Sequence, residues 1–258
     1  YTNLKEGWIV RYADDFKIFC RKRSDANKVF WAVKQWLKER LKLDISPEKS
    51  KIVNLKKNYS DYLGFKLKAV KRGKKYIVRS HMSEKAIKRA TETLKTQINE
   101  VKSPRNEKDE MKAVMLYNVM VMGIHRYYGI ATEISDDCDK IGWSVNKALK
   151  NKLKSRLKRK PKGPPQLLYG VDAERYAKSR QTRYIKNMAV YPIGLPPHFR
   201  AQHLKKGINN YTPKGRAAIH RNLQMSTTTL HRLMRNPVLN RSIEYADNRI
   251  SLYVAQNG

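Results

Sequence analysis

Two adjacent carboxylates, Asp14 and Asp15, lie in the segment Tyr12-Ala13-Asp14-Asp15 between two short apolar runs, Trp8-Ile9-Val10-Arg11 and Phe16-Lys17-Ile18-Phe19. Short runs rich in β-branched and aromatic residues, separated by a few turn-prone positions, predict a β-hairpin. Its tip would carry both carboxylates, where their oxygens can converge on a hard cation. Mg²⁺ takes oxygen ligands octahedrally and is commonly held by one or two carboxylates plus substrate phosphates. In two-metal phosphoryl transfer such a site clamps the attacking and leaving oxygens. A bare Asp-Asp pair would equally make a solvated turn. The preceding tyrosine and the hydrophobic strands on both sides favour the metal reading.

The elements that must position this tip follow in order. Ser24 and Asp25 offer caps for a helix whose apolar positions, Val29, Phe30, Val33, Trp36, Leu37 and Leu41, recur at helical spacing. Lys51-Ile52-Val53-Asn54-Leu55 and Tyr62-Leu63-Gly64-Phe65-Lys66-Leu67 predict strands, and Tyr76-Ile77-Val78 closes a second hairpin across a basic glycine turn. From Ser83 the period changes. Met82 and Ile87 suit a staple around an N-cap at Ser83, and Ile87, Ala90, Leu94, Ile98 and Val101 form one helical stripe. A second helix, from about Asp109 to Ala131, is apolar on most sides and is expected to be buried all round. Asp136, Asp137 and Asp139 suit the N-terminus of a third helix. Its stripe, Val145, Leu149, Leu153 and Leu157, continues beneath a run of cations that includes Lys150, Lys154, Arg156, Lys158, Arg159 and Lys160. Helices are further expected at about 172–187, 213–222, 226–235 and 240–251.

The fold class expected is therefore α+β: a β-hairpin, a helix and short strands over 1–82, a three-helix bundle over 83–162, and a mainly helical basic region over 163–258. The chain's 258 residues suffice for one or two domains with real cores, and 40% hydrophobic residues exclude a compositionally disordered chain. Lys and Arg number 56 against 22 Asp and Glu, a formal charge of +34. Such a charge repels itself in a compact state and calls for a polyanion, whose neutralised phosphates release counterions. No apolar run is long enough to span a bilayer, so no membrane partner is expected. Cys20 and Cys138 lie far apart without ligand spacing, which argues against zinc and against a disulfide framework and suits a reducing compartment. Between Lys140 and Ile243 there are 24 Lys or Arg and two acids, Asp172 and Glu174. A charge run is usually a solvated face. Here the apolar stripe beneath it favours phosphate contact, with Arg180, Arg183, Lys205 and Lys206 as further candidates among interleaved tyrosines and asparagines.

At this point the residues resemble a known family. Tyr12-Ala13-Asp14-Asp15 is similar to the Y-x-D-D motif of reverse transcriptases, in the Y-A-D-D form of group II intron-encoded proteins. Leu41 to Ile52, which contains Ser46-Pro47-Glu48-Lys49-Ser50-Lys51, resembles the next block of that family, and Tyr62-Leu63-Gly64-Phe65 resembles its primer-grip segment. Gly123-Ile124-His125-Arg126-Tyr127-Tyr128 resembles the signature of the maturase thumb, or X domain. Tyr211 to Arg216, Met234 to Pro237 and Ile243 to Arg249 resemble the DNA-binding segment that precedes an H-N-H endonuclease in such proteins.

The resemblance implies roles. Residues 1–82 would be part of a right-hand polymerase palm. Asp14 would be the main metal-bridging carboxylate and Asp15 its less central neighbour. Tyr12 would line the floor near the incoming nucleotide, and Ala13 would leave room for the template–primer backbone. Lys49 would protonate or screen the leaving pyrophosphate, or else is a solvated turn lysine. Leu63 and Gly64 would bring backbone close to the primer, which a residue without a Cβ permits; a ligand-free bulge is the alternative. The family's third carboxylate and its fingers belong to sequence upstream of the hairpin, so further sequence or another chain is expected to supply them. The chain looks cut through the palm at one end and stops about where the endonuclease would begin. The function implied is an RNA-directed DNA polymerase and intron RNA maturase acting in group II intron splicing and retrohoming, with Mg²⁺, deoxynucleotides, intron RNA and target DNA as its cofactor and partners. A non-catalytic RNA-binding splicing cofactor is the alternative. The expected location is the bacterial cytoplasm, at the nucleoid when on DNA, or an organelle.

Overall fold

The computed structural model describes residues 7–165 and 173–199 and, beyond these, 214, 227–236, 238, 245, 249, 250, 252 and 253. The chain divides into two compact units, Tyr1–Arg200 and Ala201–Gly258. The first is α+β, as expected. Strands β1 (Gly7–Tyr12) and β2 (Asp15–Cys20) form an antiparallel hairpin, followed by helix α1 (Arg23–Leu41). A meander of β3 (Ser60–Tyr62), β4 (Phe65–Arg72) and β5 (Lys75–Met82) leads into three helices, α2 (Glu84–Lys102), α3 (Glu107–Tyr128) and α4 (Ile134–Leu153). A small sheet of β6 (Leu157–Lys158), β7 (Arg183–Ile185) and β8 (Met188–Val190), with the short helix α5 (Ala173–Ala177), completes the unit. In the second unit helix α6 spans Thr227–Arg235, as the sequence predicts for 226–235. The helices expected at 213–222 and 240–251 lie largely outside the described residues. No helix among the described residues is long and apolar enough to cross a membrane.

The core sits in the helical bundle. Ala90, Leu94, Ile98 and Val101 of α2 are buried, the stripe the sequence predicts, against Val114, Tyr117 and Val121 of α3 and Ile141, Val145, Leu149 and Leu153 of α4. The helix starts are capped. Ser83 Oγ accepts the Ala86 N–H at 3.2 Å, and Asn106 Oδ1 accepts the Asp109 N–H at 2.8 Å. Each such cap contributes about 1 kcal/mol.

Four local expectations are corrected. Residues 51–54 are coil, not strand. Leu63 and Gly64 are not inside a strand; they form the two-residue turn between β3 and β4. Helix α4 stops at Leu153, so the cations from Lys154 to Lys160 do not prolong it. Continued as a helix, Lys150, Lys154 and Lys158 would stack like charges at i,i+4, which destabilises. Instead Leu157 and Lys158 pair with Ile185 and Tyr184. Finally, 172–187 is a short helix and then a strand, because Tyr184, Ile185 and Val190 are better suited to a pleated, half-buried surface.

Helix α3 departs from expectation in a way that organises the unit. Met115, Leu116 and Val119 are exposed, whereas the polar residues Glu110, Asn118 and His125 are buried. They lie on one face with Val114 and Val121, and each binds the segment that follows α4. Asn118 donates to the Ala189 carbonyl at 2.7 Å and accepts the Tyr191 N–H at 2.8 Å. His125 Nε2 lies 2.7 Å from the Ile193 carbonyl, which can only accept, so Nε2 carries the proton and Nδ1 accepts from the Tyr176 hydroxyl at 2.6 Å. Tyr176 in turn stacks on Tyr191 with ring centroids 4.1 Å apart. Tyr176, Tyr184, Ile185, Met188, Tyr191 and Ile193 are thereby part of the bundle's core.

Glu110 accepts from Arg156, and Lys186 Nζ lies 3.1 Å from its second oxygen. Burial raises its pKa, but the hydrogen bonds from Arg156 and Lys186 outweigh this and hold the carboxyl below its ordinary value. Glu110→Gln is expected to destabilise the protein by about 2 kcal/mol at neutral pH, as lost charged hydrogen bonds do. Because the folded carboxyl has the lower pKa, its contribution is complete above the unfolded value of about 4.3 and is lost as pH falls through the folded value. Urea midpoints measured from pH 7 to pH 3 should therefore converge for wild type and variant in acid.

Candidate functional site

The carboxylates sit where the sequence places them. Tyr12 pairs with Asp15, leaving Ala13 and Asp14 as a two-residue turn. Ala13 adopts φ 52°, a left-handed conformation that costs an L-residue about 1 kcal/mol. Arg11 Nε donates to the Ala13 carbonyl at 2.7 Å and steadies the turn. Asp14 and Asp15 are both exposed. Such a tip presents carboxylate oxygens outward with nothing apolar over them, which suits a cation shared with substrate phosphates. Among the described residues no cluster of three or more His, Cys, Asp or Glu could hold a metal ion. Two carboxylates fit the modest protein ligand set that Mg²⁺ takes when phosphates complete its shell.

Lys17 stands two residues beyond Asp15 on the same strand and therefore on the same face of the hairpin. Its Nζ donates to Ser60 Oγ at 2.6 Å and lies 5.6 Å from the centre of the Tyr62 ring. Burial pushes its pKa down, against the opposing pull of Asp61 and, less strongly, of Asp15. Tyr62 Oη lies 3.5 Å from the Asp15 carbonyl, a long contact at the limit of a hydrogen bond. Lys17 and Tyr62 thus tie the carboxylate hairpin to β3.

The turn after β3 is the second part of the site. Leu63 and Gly64 have φ 49° and 79°, positive at both central positions, as in a type I′ hairpin turn. Glycine is required at the second. A Cβ there would lie 2.8 Å from the Tyr128 hydroxyl. The strained Leu63 is held by the Tyr127 hydroxyl, which donates to its carbonyl at 3.0 Å. Phe65 packs on both tyrosines, with centroids 5.6 and 5.1 Å away. Burial, and then the nearby Tyr12 phenol, raise the Tyr127 pKa. The end of α3 therefore docks on the Leu63–Gly64 turn, and Tyr12 lies within electrostatic reach of it.

Residues 3–67 match the family described as reverse transcriptase (RNA-dependent DNA polymerase). The matched reverse-transcriptase segment runs from the strand before the Asp14–Asp15 turn through the Leu63–Gly64 turn into β4. It includes Tyr12, Ala13 and Lys49. It covers about a quarter of the chain, and the helical bundle lies beyond it. No curated protein matches the chain.

The other sequence candidates are distributed unevenly. Lys49 is exposed in the turn 47–49 and makes no hydrogen bond or ion pair to Asp14 or Asp15 among the described residues. Lys150, Lys154, Lys158, Arg159, Lys160 and Arg180 are exposed and available to phosphates. Arg156 is half-buried; besides Glu110 it binds the Lys102 carbonyl at 2.9 Å, so it stitches α2, α3 and the end of α4 together. Arg183 places Nη1 on the carbonyls of Arg180, Gln181 and Thr182. Lys205 and Lys206 lie outside the described residues. Lys17, Tyr62 and Tyr127 belong to the site but were not singled out as site residues in the sequence. For Lys17 the signal was available: position i+2 from Asp15 on a strand shares its face. For Tyr127 there was no local signal, since it meets Leu63 across 64 residues.

Proposed function

We propose that the protein is part of a group II intron-encoded reverse transcriptase and maturase, carrying the Asp-Asp part of the polymerase palm, the thumb and a basic region for nucleic acid. The observation that carries this reading is the reverse-transcriptase match over a segment whose two carboxylates occupy an exposed hairpin tip. In this role Asp14, with Asp15 beside it, would hold Mg²⁺, which when bound supplies neutralising charge to the phosphoryl group being transferred. The chain's own residues then position the reactants. The Leu63–Gly64 turn offers backbone to the primer strand, Tyr127 holds that turn, and Lys17 contributes positive charge on the face of Asp15. Positioning and preorganised charge are the main sources of acceleration in such reactions.

The apolar side chains exposed on β1 and α1, among them Trp8, Ile9, Trp31 and Trp36, offer surface against which the remainder of the palm and fingers would pack, from further sequence or another chain. The charge of +34 and the exposed cations from Lys150 to Lys160 would hold intron RNA and, during retrohoming, target DNA. A second reading, a splicing cofactor without polymerase activity, draws on the same charge of +34 and exposed cations and makes no use of the Asp14–Asp15 turn. The two are separated by incubating the protein with intron RNA, an RNA template, a DNA primer and deoxynucleotides. Template-dependent extension is the expected result. Intron splicing stimulated with no extension at any Mg²⁺ concentration would sink the polymerase reading and leave the cofactor.

A further inference from the structure

Strands β4 and β5 form a ribbon whose two ends are built differently. Its base is locked to the bundle. Ser80 accepts the Thr132 N–H at 2.9 Å and its own N–H donates to Thr132 Oγ1 at 2.8 Å; its carbonyl accepts the Glu133 N–H at 3.0 Å. Met82 and Ser80 are buried there. The outer half is bare: Lys71, Arg72 and every residue from Lys75 to Arg79 are exposed, and the tip turns on Gly73 at φ 58° with open space where a Cβ would stand.

This ribbon carries seven cations between Phe65 and Met82 and no Asp, Glu, Asn or Gln. The register puts like charges directly opposite each other, Lys68 against Arg79 and Arg72 against Lys75, all on one face. Such pairs destabilise a sheet. Two of the seven cations have carboxylate partners, Lys66 with Glu84 and Arg79 with Glu133. Among the described residues Lys68, Arg72 and Lys75 have none. Lys66 and Lys68 instead lie over the ring of Tyr59, each 5.3 Å from its centre. Same-face residues on a strand are about 7 Å apart, so the face from Lys66 to Arg72 offers a charged line of about 20 Å. Glu84 and Glu133 offset Lys66 and Arg79 at its base, no carboxylate among the described residues pairs with Lys68, Arg72 or Lys75, and the ribbon itself carries no carboxamide to read base edges.

We infer that this face of the β4–β5 ribbon is a docking surface for the phosphate backbone of double-stranded RNA. The inference rests on the RNA-binding reading above and adds to it a specific element, distinct from the Leu63–Gly64 turn and from the cations after α4. A rigid ribbon of cations without base-reading groups matches RNA duplexes, which are recognised through shape, phosphates and sugar hydroxyls rather than sequence.

The test measures binding of the full chain to a blunt RNA duplex, and to the DNA duplex of the same sequence, across a salt series. In the variant K68Q/R72Q/K75Q, RNA affinity should fall about tenfold, and the slope of log affinity against log salt should decrease by about 2 to 3, one unit per lost phosphate contact. A control of equal charge change where α2 ends and α3 begins, K102Q/K108Q/K112Q, should change affinity less than about twofold, because it lies about 25 Å along α2 from the ribbon's base, beyond the screening distance. The charge-retaining variant K68R/R72K/K75R should bind like wild type. The ribbon variant should unfold at the same urea concentration as wild type or a higher one, since repulsion is removed. A loss no greater than the control's, or a loss confined to the DNA duplex, would overturn the assignment. If the wild-type chain binds neither duplex nor intron RNA, the RNA reading itself fails; if wild type and ribbon variant bind alike, only the ribbon does.

Discussion

Replacing Asp14 with alanine should reduce primer extension by about 10³-fold or more while leaving RNA affinity unchanged, the size of loss seen when one preorganised electrostatic group is removed from a transition state. The reasoning starts from the turn. Asp14 is the second of only two residues between paired Tyr12 and Asp15, and its side chain is exposed at the tip. Ala13 accepts a left-handed φ of 52° to make that turn so short. Two-residue hairpin turns take a positive φ at their first central position, and here that keeps Asp14 at the tip. Asp15 begins the strand, and its backbone carbonyl faces Tyr62. Asp15→Ala should therefore cost less, about 10- to 100-fold, and Asp14→Asn should be nearly as damaging as alanine, because the charge is what matters. Single-turnover extension at saturating RNA separates these effects from binding. Extension by Asp14→Ala within tenfold of wild type would remove the turn from the chemistry.

A second large effect is expected far from the turn. Asp137→Ala should destabilise the protein by about 3 to 5 kcal/mol, the range for removing one partner from a buried charged network. Asp137 is fully buried in the first turn of α4. One oxygen accepts the Met82 N–H at 2.7 Å, and the other lies 3.0 Å from His81 Nδ1. Lys140 adds charge at 3.8 Å. Alanine would leave the Met82 N–H buried without an acceptor. Asparagine keeps an acceptor for that N–H and should recover about half the loss. Urea unfolding reads the result as a lower midpoint with unchanged slope. A loss under about 1 kcal/mol would mean that water satisfies Met82 and that the joint between β5 and α4 is weaker than its geometry indicates.

What was legible in the sequence is what is carried by neighbours along the chain. The Asp14–Asp15 hairpin follows from two apolar runs and a four-residue centre, and the structure pairs them in that register. The Ser83 cap and the stripe from Ala90 to Val101 follow from local hydrogen bonding and the 3.6-residue period, and both are present. Positive charge on the tail side of the molecule is visible in composition alone.

Long-range partners were not legible. The strand expected at 51–55 is not formed, although its Ile and Val suit one: the Leu55 carbonyl accepts the Ala69 N–H of β4 at 2.9 Å, but the chain turns at 55–57, where the Asn54 carbonyl accepts the Lys57 N–H at 3.0 Å, and the pairing goes no further. Helix α3 looks apolar on most sides, yet Met115, Leu116 and Val119 are exposed while Glu110, Asn118 and His125 are buried beside Val114, Tyr117 and Val121. Glu110, Asn118 and His125 have partners 46 to 76 residues away, and burial of a polar group is decided by whether such a partner arrives. The cations after Leu149 look alike in the sequence. Tertiary structure divides them, taking Arg156 into an ion pair with Glu110 and leaving Lys150, Lys154 and Lys158 to solvent. The candidate site shows the same division. Residue types and hairpin geometry placed Asp14 and Asp15 together. Only the three-dimensional packing joined that hairpin to β3, through Lys17 on Ser60 and Tyr62 beside the Asp15 carbonyl, and brought Tyr127 onto the Leu63–Gly64 turn, because those contacts cross between elements, and spacing along a chain carries no record of which elements meet.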